Sequence, residues 1–553
     1  MINLRDWQQK ALEKALQWLT IDRTDKHFLI NAAPGAGKTI ASCVIANELI
    51  ERGEIDRVIV IAPRREVVRQ WSEDFKHVTG RYMAKVTSQD SYDLDIDVCA
   101  TWQALSRLQD AMQSICSESR VLVICDEIHH AAVEAAWGES AASGFADARF
   151  VLVLTGTPIR SDGAQTVWMA YDSVGAINHP EGGSYTLTYG EAVDLGYCRP
   201  TTFHRHNGEF ELTLDQGESI TVSGEQSGIL PEGIERVAGI ETALNFYKLA
   251  CTPLYEKDEI TPKLDGFQSS MVEWAGNKLT ELRHRMPNAG GLVIAPNIKM
   301  ANYMVSVIEQ LEGEKPLIVH SDLPNSDSKI NQFRHTDKRW LVSVGMVTEG
   351  VDIKRLRVLV YLPNALTELA FRQANGRVVR TSGHKDDTRA YVVMPSFETF
   401  ELYARRVEDE MPASARREAP QPRTKVCPSC HAECELNATE CPDCGHEFSS
   451  SNPNPPRMKP CPDCTALNIL SAESCTVCGA SFRSRYTISL KEALRDGAII
   501  RGMDFDEDEV SEGEKIAPGM RHRILKSGDE KLIQIVKLLP DESWGRLKGM
   551  LSD

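Results

Sequence analysis

Short apolar runs recur over the first 155 residues and again after residue 290, and stretches with helical spacing separate most of them. Such runs are typical of buried parallel strands, and their alternation with helices predicts a doubly wound sheet. Ahead of them, bulky side chains at helical spacing predict a helix within residues 1–20. The predicted strands are 28–31, 58–62, 97–101, 121–125 and 150–155 in a first sheet, and 291–296, 316–320, 340–345, 358–363 and 390–395 in a second.

The stretches outside the two predicted sheets differ in composition and divide the chain further. Between the sheets, "GEFELTLDQGESITVSGEQSG" alternates in polarity, which predicts a hairpin with a mobile tip. Two segments rich in proline and small residues are typical of linkers. We therefore expect a first α/β domain (1–195), a connecting segment (196–285), a second α/β domain (286–410), a linker (411–426), two cysteine-rich modules (427–448 and 457–483) and an α+β tail (484–553).

Composition and charge are those of a globular protein and leave nucleic-acid binding open. Hydrophobic residues make up 42% and charged residues 25% of the 553, enough for about three or four domains. No apolar run approaches the roughly 18 residues that cross a bilayer, and the N-terminus lacks a signal core, so we expect a soluble cytoplasmic protein without a membrane partner. The net charge of −17 argues against a wholly basic coat protein but permits a local basic groove.

The stretch "AAPGAGKT" at residues 32–39 follows a predicted strand and fits a phosphate-binding loop. Its glycines let backbone N–H groups face phosphate oxygens, and the next helix adds the positive end of its dipole. Lys38 would reach the β and γ phosphates of ATP, and Thr39 would bind Mg²⁺. A glycine-rich turn before an ordinary helix is the alternative. The predicted ATP contacts in the loop are Ala33, Pro34, Gly35, Ala36, Gly37, Lys38 and Thr39.

Two adjacent acids, Asp126 and Glu127, end the apolar run "VLVIC", where they are costly unless they hold something. Beside a phosphate loop, Asp126 would help to hold Mg²⁺ through its water shell, and Glu127 would polarise the attacking water. The alternative is an acidic strand end at the surface. His129 is interpreted as a polar relay toward the second sheet and His130 as a packed or exposed neighbour, with zinc ligation as the alternative.

Nine of the fifteen cysteines lie between residues 427 and 478. Eight of them form two sets with the spacing C-x2-C-x10-C-x2-C, which matches tetrahedral Zn²⁺ in structural ribbons. Because large apolar side chains are few there, metal ligation would supply much of the folding energy. Disulfides, a redox pair and an iron–sulfur cluster are the alternatives, and Cys434 is interpreted as a spare thiol. The predicted ligands of two Zn²⁺ ions are Cys427, Cys430, Cys441 and Cys444, and Cys461, Cys464, Cys475 and Cys478.

Six segments of the first 410 residues resemble the motifs of superfamily 2 DEAD/DEAH-box helicases: "LRDWQ" (4–8), "AAPGAGKT" (32–39), "DEIH" (126–129), "TGTP" (155–158), "VTEGVDI" (347–353) and "QANGRVVR" (373–380). The motif "TGTP" has Gly156 where alanine is usual. The resemblance implies two RecA-like domains that bind ATP and Mg²⁺. It further implies adenine recognition by Gln8, coupling of hydrolysis to movement by Thr155 and Thr157, and ATP contacts by Gly350 and Asp352.

The last of these motifs has a physical logic of its own. Gln373, Arg377 and Arg380 are spaced i, i+4 and i+7, so one helix face would present an amide and two guanidinium groups. Placed across a cleft, the arginines would meet the charge that develops on the γ-phosphate, and all three residues are predicted to be catalytic. The alternative is a solvated basic helix face.

The same resemblance implies a nucleic-acid track along the two domains. The predicted contacts are Arg64, Thr101, Gln103 and Thr348. Trp102 would stack on a base, as in single-strand channels, or belong to the core, and the core is the more usual place for an aromatic after a strand.

The order of two RecA-like domains, paired zinc ribbons and a small tail resembles that of RadD-type DNA repair helicases. This resemblance implies a DNA-dependent ATPase, helicase or translocase acting in repair, recombination or replication. The alternatives are an RNA helicase, an ATP-switched zinc-ribbon module that binds a protein partner, and the motor subunit of a defence or restriction complex.

Overall fold

The computed structural model of the chain describes residues 3–87, 94–128, 136–156, 166–172, 177–213, 219–224, 245–258, 260–345, 353–381, 386, 388–412, 415, 424–426, 429–430, 433–435, 440–446, 458–460, 466–469, 476–477, 485–489, 507–527 and 544.

Seven parallel strands form the first sheet. The described sheet runs in the order β3-β4-β2-β5-β6-β1-β9. All five strands predicted for it are confirmed, and the two edge strands β3 and β9 were not predicted. The strands are β1 (His27–Ala32), β2 (Arg57–Ala62), β3 (Met83–Val86), β4 (Asp97–Thr101), β5 (Val121–Cys125), β6 (Phe150–Thr155) and β9 (Ser184–Leu187), and the short β7 (Ala170–Tyr171) and β8 (Ile177–Asn178) pair with each other outside this sheet.

Helices cover both faces of this sheet, so its central strands are buried on both sides and read as continuous apolar runs. Local sequence determines where the helices begin and end. The Thr101 side chain accepts a hydrogen bond from the Ala104 N–H at the start of one helix, and Gly80, at φ +74°, ends another. The helices are α1 (Asp6–Leu16, continued by a π-helical turn over Gln17–Asp22), α2 (Lys38–Glu51), α3 (Arg65–Thr79), α4 (Trp102–Glu118), α5 (Ala136–Gly144) and α6 (Tyr189–Asp194), with a 3₁₀ turn at Glu181–Gly183.

Six parallel strands form the second sheet, in the order β10-β17-β16-β13-β15-β14. All five strands predicted for it are confirmed. The sixth, at one edge, comes from the segment predicted to connect the domains. The strands are β10 (Thr201–His206), β13 (Gly290–Ile294), β14 (Leu317–Val319), β15 (Trp340–Ser343), β16 (Leu356–Tyr361) and β17 (Ala390–Pro395), and the helices are α7 (Phe246–Ala250), α8 (Phe267–Arg283), α9 (Ile298–Glu312), α10 (Ser326–His335), α11 (Glu368–Val378) and α12 (Glu398–Glu410).

The hairpin predicted between the sheets is confirmed: β11 (Glu209–Thr213) pairs antiparallel with β12 (Ser219–Ser223), while its tip lies outside the described residues. A strand from the tail, β22 (Arg485–Ser489), adds to β11 in parallel. Tyr486 anchors it, because its hydroxyl lies 2.8 Å from Ser270 Oγ, which in turn lies 2.7 Å from His206 Nε2. The tail is therefore fastened to the second domain.

Each cysteine-rich module is associated with a small antiparallel pair. In the first, β18 (Thr424–Val426), at the end of the predicted linker, pairs with β19 (Glu433–Glu435), and in the second β20 (Met458–Pro460) pairs with β21 (Leu467–Ile469). In the tail, α13 (Glu507–Ser527) packs Ala517 against Trp544. Among the described helices, none combines the length and the apolar character needed to cross a membrane.

Candidate active site between the two domains

The carboxyl ends of neighbouring parallel strands bring the predicted motifs of the first domain together. The phosphate loop follows β1, Asp126 and Glu127 follow β5, and Thr155 ends β6, which lies between those two strands. Gly35 and Gly37 have φ values of +80° and +99°, in the left-handed region that glycine enters without strain. Gly37 is also the N-cap of α2, so the backbone N–H groups at the start of this helix face the loop.

Lys38 is folded back onto its own loop in this arrangement. Its Nζ donates a 2.9 Å hydrogen bond to the Ala32 carbonyl oxygen. A β-carbon at Gly156 would lie 2.8 Å from the same Nζ, so the glycine of "TGTP" leaves room for the ammonium group. Swinging toward a phosphate would require only rotation about the flexible side-chain bonds of Lys38, and Thr39 follows as the second residue of α2.

The N-terminal helix is tied directly to the phosphate loop. Gln8, which is buried, donates from Nε2 to the Gly37 carbonyl at 2.9 Å and accepts at Oε1 from the Arg5 N–H. Arg5 Nη1 and Trp7 Nε1 both donate to the Ala36 carbonyl, at 2.7 and 3.2 Å. The structure thus places Gln8 against the loop, and its reading of adenine stays a prediction.

Asp126 is held on several sides. Trp71 Nε1 donates a 2.8 Å hydrogen bond to its Oδ2, Trp102 Nε1 donates a 3.1 Å bond to its carbonyl oxygen, and its own N–H donates to the Ile61 carbonyl. Burial and the neighbouring Glu127 raise the pKa of Asp126 to about 6, although the Trp71 hydrogen bond opposes this. A nearby cation such as Mg²⁺ would offset the cost of this buried charge.

Glu127 follows with a left-handed backbone, at φ +52°. A non-glycine residue in that region is strained by about 1–3 kcal/mol, and such strain is concentrated at functional sites. The turn breaks the line of the strand at the point where the two acids leave the sheet.

The sixth motif meets the phosphate loop across the domain interface. A β-carbon at Gly376 would lie 2.8 Å from Cβ of Pro34, and one at Gly35 would lie 2.8 Å from Cγ of Arg380. Arg377 is buried and Gln373 is half-buried on α11. The prediction that one helix face presents all three side chains is wrong for Arg380.

Arg380 does not share a helix face with Gln373 and Arg377, because α11 ends at Val378, with Val379 as its C-cap. Arg380 therefore lies beyond the helix. It pairs instead with Cys198 in an isolated antiparallel bridge. The chain that connects the domains therefore runs beside both Arg380 and the phosphate loop, and the Cys198 thiol donates to the Pro34 carbonyl at 3.3 Å. Burial raises the pKa of the Cys198 thiol to about 12, although the cations Lys38, Arg380 and Arg5 oppose the rise.

Arg199, the next residue of the same connection, is fully buried. Its Nη1 donates to the Leu356 and Val378 carbonyls at 2.8 and 2.9 Å, and its Nη2 binds Asp386 at 2.5 Å. Arg357, also fully buried, binds the same carboxylate at 2.8 Å. These contacts fix the C-terminal end of α11, where the sixth motif approaches the first domain.

A cavity of about 230 Å³ lies beside this contact. Pro34 and Gly156 line it from the first domain, and Arg372, Asn375 and Glu410 line it from the second. Arg372 binds Glu410 through two hydrogen bonds, at 3.1 and 2.6 Å, which ties α11 to α12. This cavity is therefore lined by residues of both domains.

The described residues of the predicted nucleic-acid track lie at the starts of α3 and α4. Arg64, the N-cap of α3, donates from Nη2 to the Gly345 carbonyl of the second domain at 3.1 Å. Thr101 is buried and caps α4, while Gln103 is exposed. Trp102 is only 1% exposed, which fits the core interpretation and not stacking on a base. Sequence reasoning overlooked Trp71, although Val67, Val68, Trp71 and Phe75 have the spacing of a buried helix face.

Several predicted residues lie outside the described part of the chain and stay predictions. They are His129, His130, Thr157, Thr348, Gly350, Asp352, Cys427, Cys461, Cys464, Cys475 and Cys478.

Three of the first ribbon's predicted ligands are described, and they fit a metal ion. The sulfur atoms of Cys430, Cys441 and Cys444 all lie within 4.8 Å of one another. Burial raises the pKa of the Cys441 thiol, but the backbone N–H groups of Cys444 and Asp443 and the neighbouring thiols outweigh it and lower the pKa to about 6. Cys434 is buried, with its sulfur 3.5 Å from that of Cys441. The cluster favours the thiolate form that binds metal.

Two family models match the chain. Residues 1–160 match the family described as "Type III restriction enzyme, res subunit", and residues 275–382 match the "Helicase conserved C-terminal domain". Among curated proteins, the uncharacterized protein Rv2917 of Mycobacterium tuberculosis (strain ATCC 25618 / H37Rv) is 31% identical over 403 residues, which are 71% of this chain. The chain spans 61% of the length of that relative.

Solved structures with a similar chain path include the ATP-dependent type ISP restriction-modification enzyme LlaBIII bound to DNA, at 17% identity and a TM-score of 0.45, over 71% of this chain and 28% of that one. Another is S. cerevisiae Dbp5 bound to RNA and ADP BeF3, at 13% identity and a TM-score of 0.44, over 75% and 93% of the two chains. The two family matches support a helicase-like pair of domains at residues 1–160 and 275–382.

Proposed function

We propose that this protein is a DNA-dependent ATPase that translocates along, unwinds or remodels DNA in repair, recombination or replication. One observation carries the proposal: the sixth motif packs on the phosphate loop, with Arg380 against Gly35 and Gly376 against Pro34. A nucleotide bound at the loop would therefore contact both domains. Its hydrolysis would weaken that bridge, which converts ATP turnover into relative movement of the domains.

The residues of the site divide the chemistry between them. Lys38 would leave the Ala32 carbonyl to bind the β and γ phosphates, and Glu127 would orient the attacking water. Mg²⁺, held by Thr39 and through water by Asp126, would neutralise charge on the phosphates. Arginines that meet the charge developing on the γ-phosphate contribute on the order of 10³–10⁵ in rate, about 4–7 kcal/mol, and Arg377 and Arg380 are our candidates.

The choice of DNA follows the resemblance to RadD-type helicases and the first family match. The test is ATP turnover with no nucleic acid, single-stranded DNA, duplex DNA and RNA of equal length. We expect DNA to stimulate turnover at least tenfold and RNA to stimulate it less. Preference for RNA would favour the RNA helicase instead.

Lys38→Ala is the control for the site and should abolish turnover, because it removes the ammonium group that binds the phosphates. Lys85→Ala, in the exposed position of an edge strand of the same domain, should leave turnover unchanged. Undiminished turnover in Lys38→Ala would remove the proposed site.

A second candidate is the motor subunit of a restriction complex, which the printed description of the first family model favours. It predicts turnover on duplex DNA without strand displacement and a partner that supplies cleavage. A strand-displacement assay on a forked duplex separates this candidate from a helicase.

We also propose that the two cysteine-rich modules are zinc ribbons. The three clustered thiols support the first, and the repeated spacing supports the second. The ribbons would hold nucleic acid or a protein partner close to the second domain, because both ends of the ribbon region, at α12 and β22, are packed on that domain.

A further inference from the structure

Two tryptophans reach Asp126 from opposite faces of the first sheet. Trp71 belongs to the core cluster that contains Val58 and Val60, and Trp102 belongs to the cluster on the other face, with Ile59 and Ile61. Each is only 1% exposed. The indole N–H of Trp71 binds the side chain of Asp126, and that of Trp102 binds its main chain.

Both tryptophans lie on helices whose first residues follow or adjoin a predicted nucleic-acid contact. Trp102 is the first residue of α4 and stands between Thr101 and Gln103. Trp71 lies on α3, seven residues after the N-cap Arg64. At 3.6 residues per turn and 1.5 Å per residue, Trp71 is therefore about 10 Å along the axis from Arg64 and on nearly the same side of the helix.

The start of α3 is also where the two domains touch away from the nucleotide, because Arg64 donates to the Gly345 carbonyl. A strand bound there would compete for or reinforce this contact and shift the helix end. A helix transmits such a shift along its axis, so the indole N–H of Trp71 would move against the Asp126 carboxylate.

We propose that Trp71 is a positioning residue that couples nucleic-acid occupancy at the starts of α3 and α4 to the orientation of the Asp126 carboxylate. The proposal rests on the proposed function and names how the track would regulate the ATP site. The hydrogen bond to Oδ2 determines which way the second carboxylate oxygen faces, and in the proposed site that oxygen would face the water shell of a metal ion. Nucleic acid would therefore alter Mg²⁺ affinity through Trp71, without touching the nucleotide.

The test is Trp71→Phe, which keeps an aromatic ring in the core and removes the N–H donor. Three quantities are measured in the full chain: the ratio of ATP turnover with and without single-stranded DNA, the Mg²⁺ concentration for half-maximal turnover with DNA, and the Kd for a labelled DNA oligonucleotide. We expect the ratio to fall at least fivefold and the Mg²⁺ requirement to rise at least threefold. The Kd should stay within twofold of wild type, because Trp71 is buried.

Two further variants keep the outcome decisive. Trp102→Phe removes only a bond to the Asp126 main chain and should lower the ratio by less than Trp71→Phe does. Trp18→Phe removes a comparable indole bond, 2.9 Å to the His27 carbonyl in the same domain, and should leave all three quantities unchanged. Should Trp71→Phe fail to fold, Trp71→Leu, which also removes the N–H donor and keeps the position apolar, is measured in its place.

If DNA stimulates the wild type and the folded Trp71→Phe and Trp102→Phe variants keep the wild-type ratio of turnover with and without DNA, the coupling is overturned. The proposed function would still stand. An equal loss in Trp18→Phe would overturn the coupling as well, because the effect would then be one of domain stability. If wild type itself responds to no nucleic acid, the proposed function and the coupling fall together.

Discussion

Arg380 and Gly35 are in contact across the interface between the two α/β domains. The approach is so close that a β-carbon at position 35 would lie 2.8 Å from Cγ of Arg380. Gly35 also has φ +80°, so the loop needs glycine for its backbone and for the space above it. The close contact between the domains at this point therefore requires glycine, which has no β-carbon, at position 35.

Gly35→Ala should lower ATP turnover at least tenfold. The added methyl group would push Arg380 off the loop, and the left-handed backbone would be strained by about 1 kcal/mol. Steady-state turnover at saturating ATP and DNA measures the effect. Gly53→Ala is the matched control, because Gly53 has φ +68° and open space around it. If both variants lose activity equally, backbone strain and not the contact with Arg380 would be responsible.

Asp126→Asn should stabilise the metal-free protein at pH 8. The folded pKa of Asp126 is raised to about 6 from an ordinary 3.8, so the stability that this group contributes is fully present below about pH 4 and lost as pH rises through 6. Asparagine avoids that loss and can still accept from Trp71. We expect the Tm with EDTA to be higher than wild type at pH 8 and equal to it at pH 4.

Mg²⁺ provides the second half of that experiment. It should raise the Tm of the wild type at pH 8 and have less effect on Asp126→Asn, because the variant lacks the charge that attracts the ion. A lower Tm of the variant at pH 8 would contradict the burial of an ionised carboxylate at this position.

The sequence predicted all nine central strands of the two sheets, because helices cover both faces of each sheet and leave unbroken apolar runs. Of the four edge strands it predicted only β14. β3 exposes Lys85, and β9 is largely polar, since an edge strand is covered less completely than a central one. β10 begins "TTFHRH", and its pairing with β17, which lies almost 190 residues later, depends on contacts that no local pattern records.

The candidate site shows the same division. The motif residues at strand ends followed from spacing, since parallel strands place their carboxyl ends together. Arg380 was assigned to a helix face, but the helix ends two residues earlier and Arg380 forms an isolated bridge with Cys198. Trp71 looked like any core residue, because only the fold shows that its N–H lies opposite an acid from another segment. Contacts between distant segments are what the sequence could not supply.

Asp386→Asn should destabilise the second domain by about 3–5 kcal/mol. Its carboxylate is the shared partner of the fully buried Arg199 and Arg357, and its loss would leave buried guanidinium charges uncompensated. Burial already lowers the pKa of Arg357 to about 9. Urea unfolding followed by circular dichroism measures the change.

The matched control is Asp56→Asn, which breaks a surface pair between Asp56 and Arg120. Exposed pairs contribute little, so this variant should unfold close to wild type. Similar midpoints for the two variants would mean that Arg199 and Arg357 are solvated and not held by Asp386.

Cys441→Ser should remove one Zn²⁺ per chain while Cys434→Ser retains the full content. The sulfur of Cys441 lies within 4.8 Å of those of two other predicted ligands, and its pKa of about 6 keeps it a thiolate near neutral pH, whereas Cys434, whose thiol donates to the Cys441 sulfur, lies outside the set assigned by spacing. Serine is a poor zinc ligand, so the loss is one of binding chemistry and not of size. Elemental analysis after dialysis gives the stoichiometry, and wild type should lose zinc as pH falls below about 6 because protons then compete for the thiolates. Equal loss from Cys434→Ser would move that thiol into the ligand set and displace one of the four assigned by spacing.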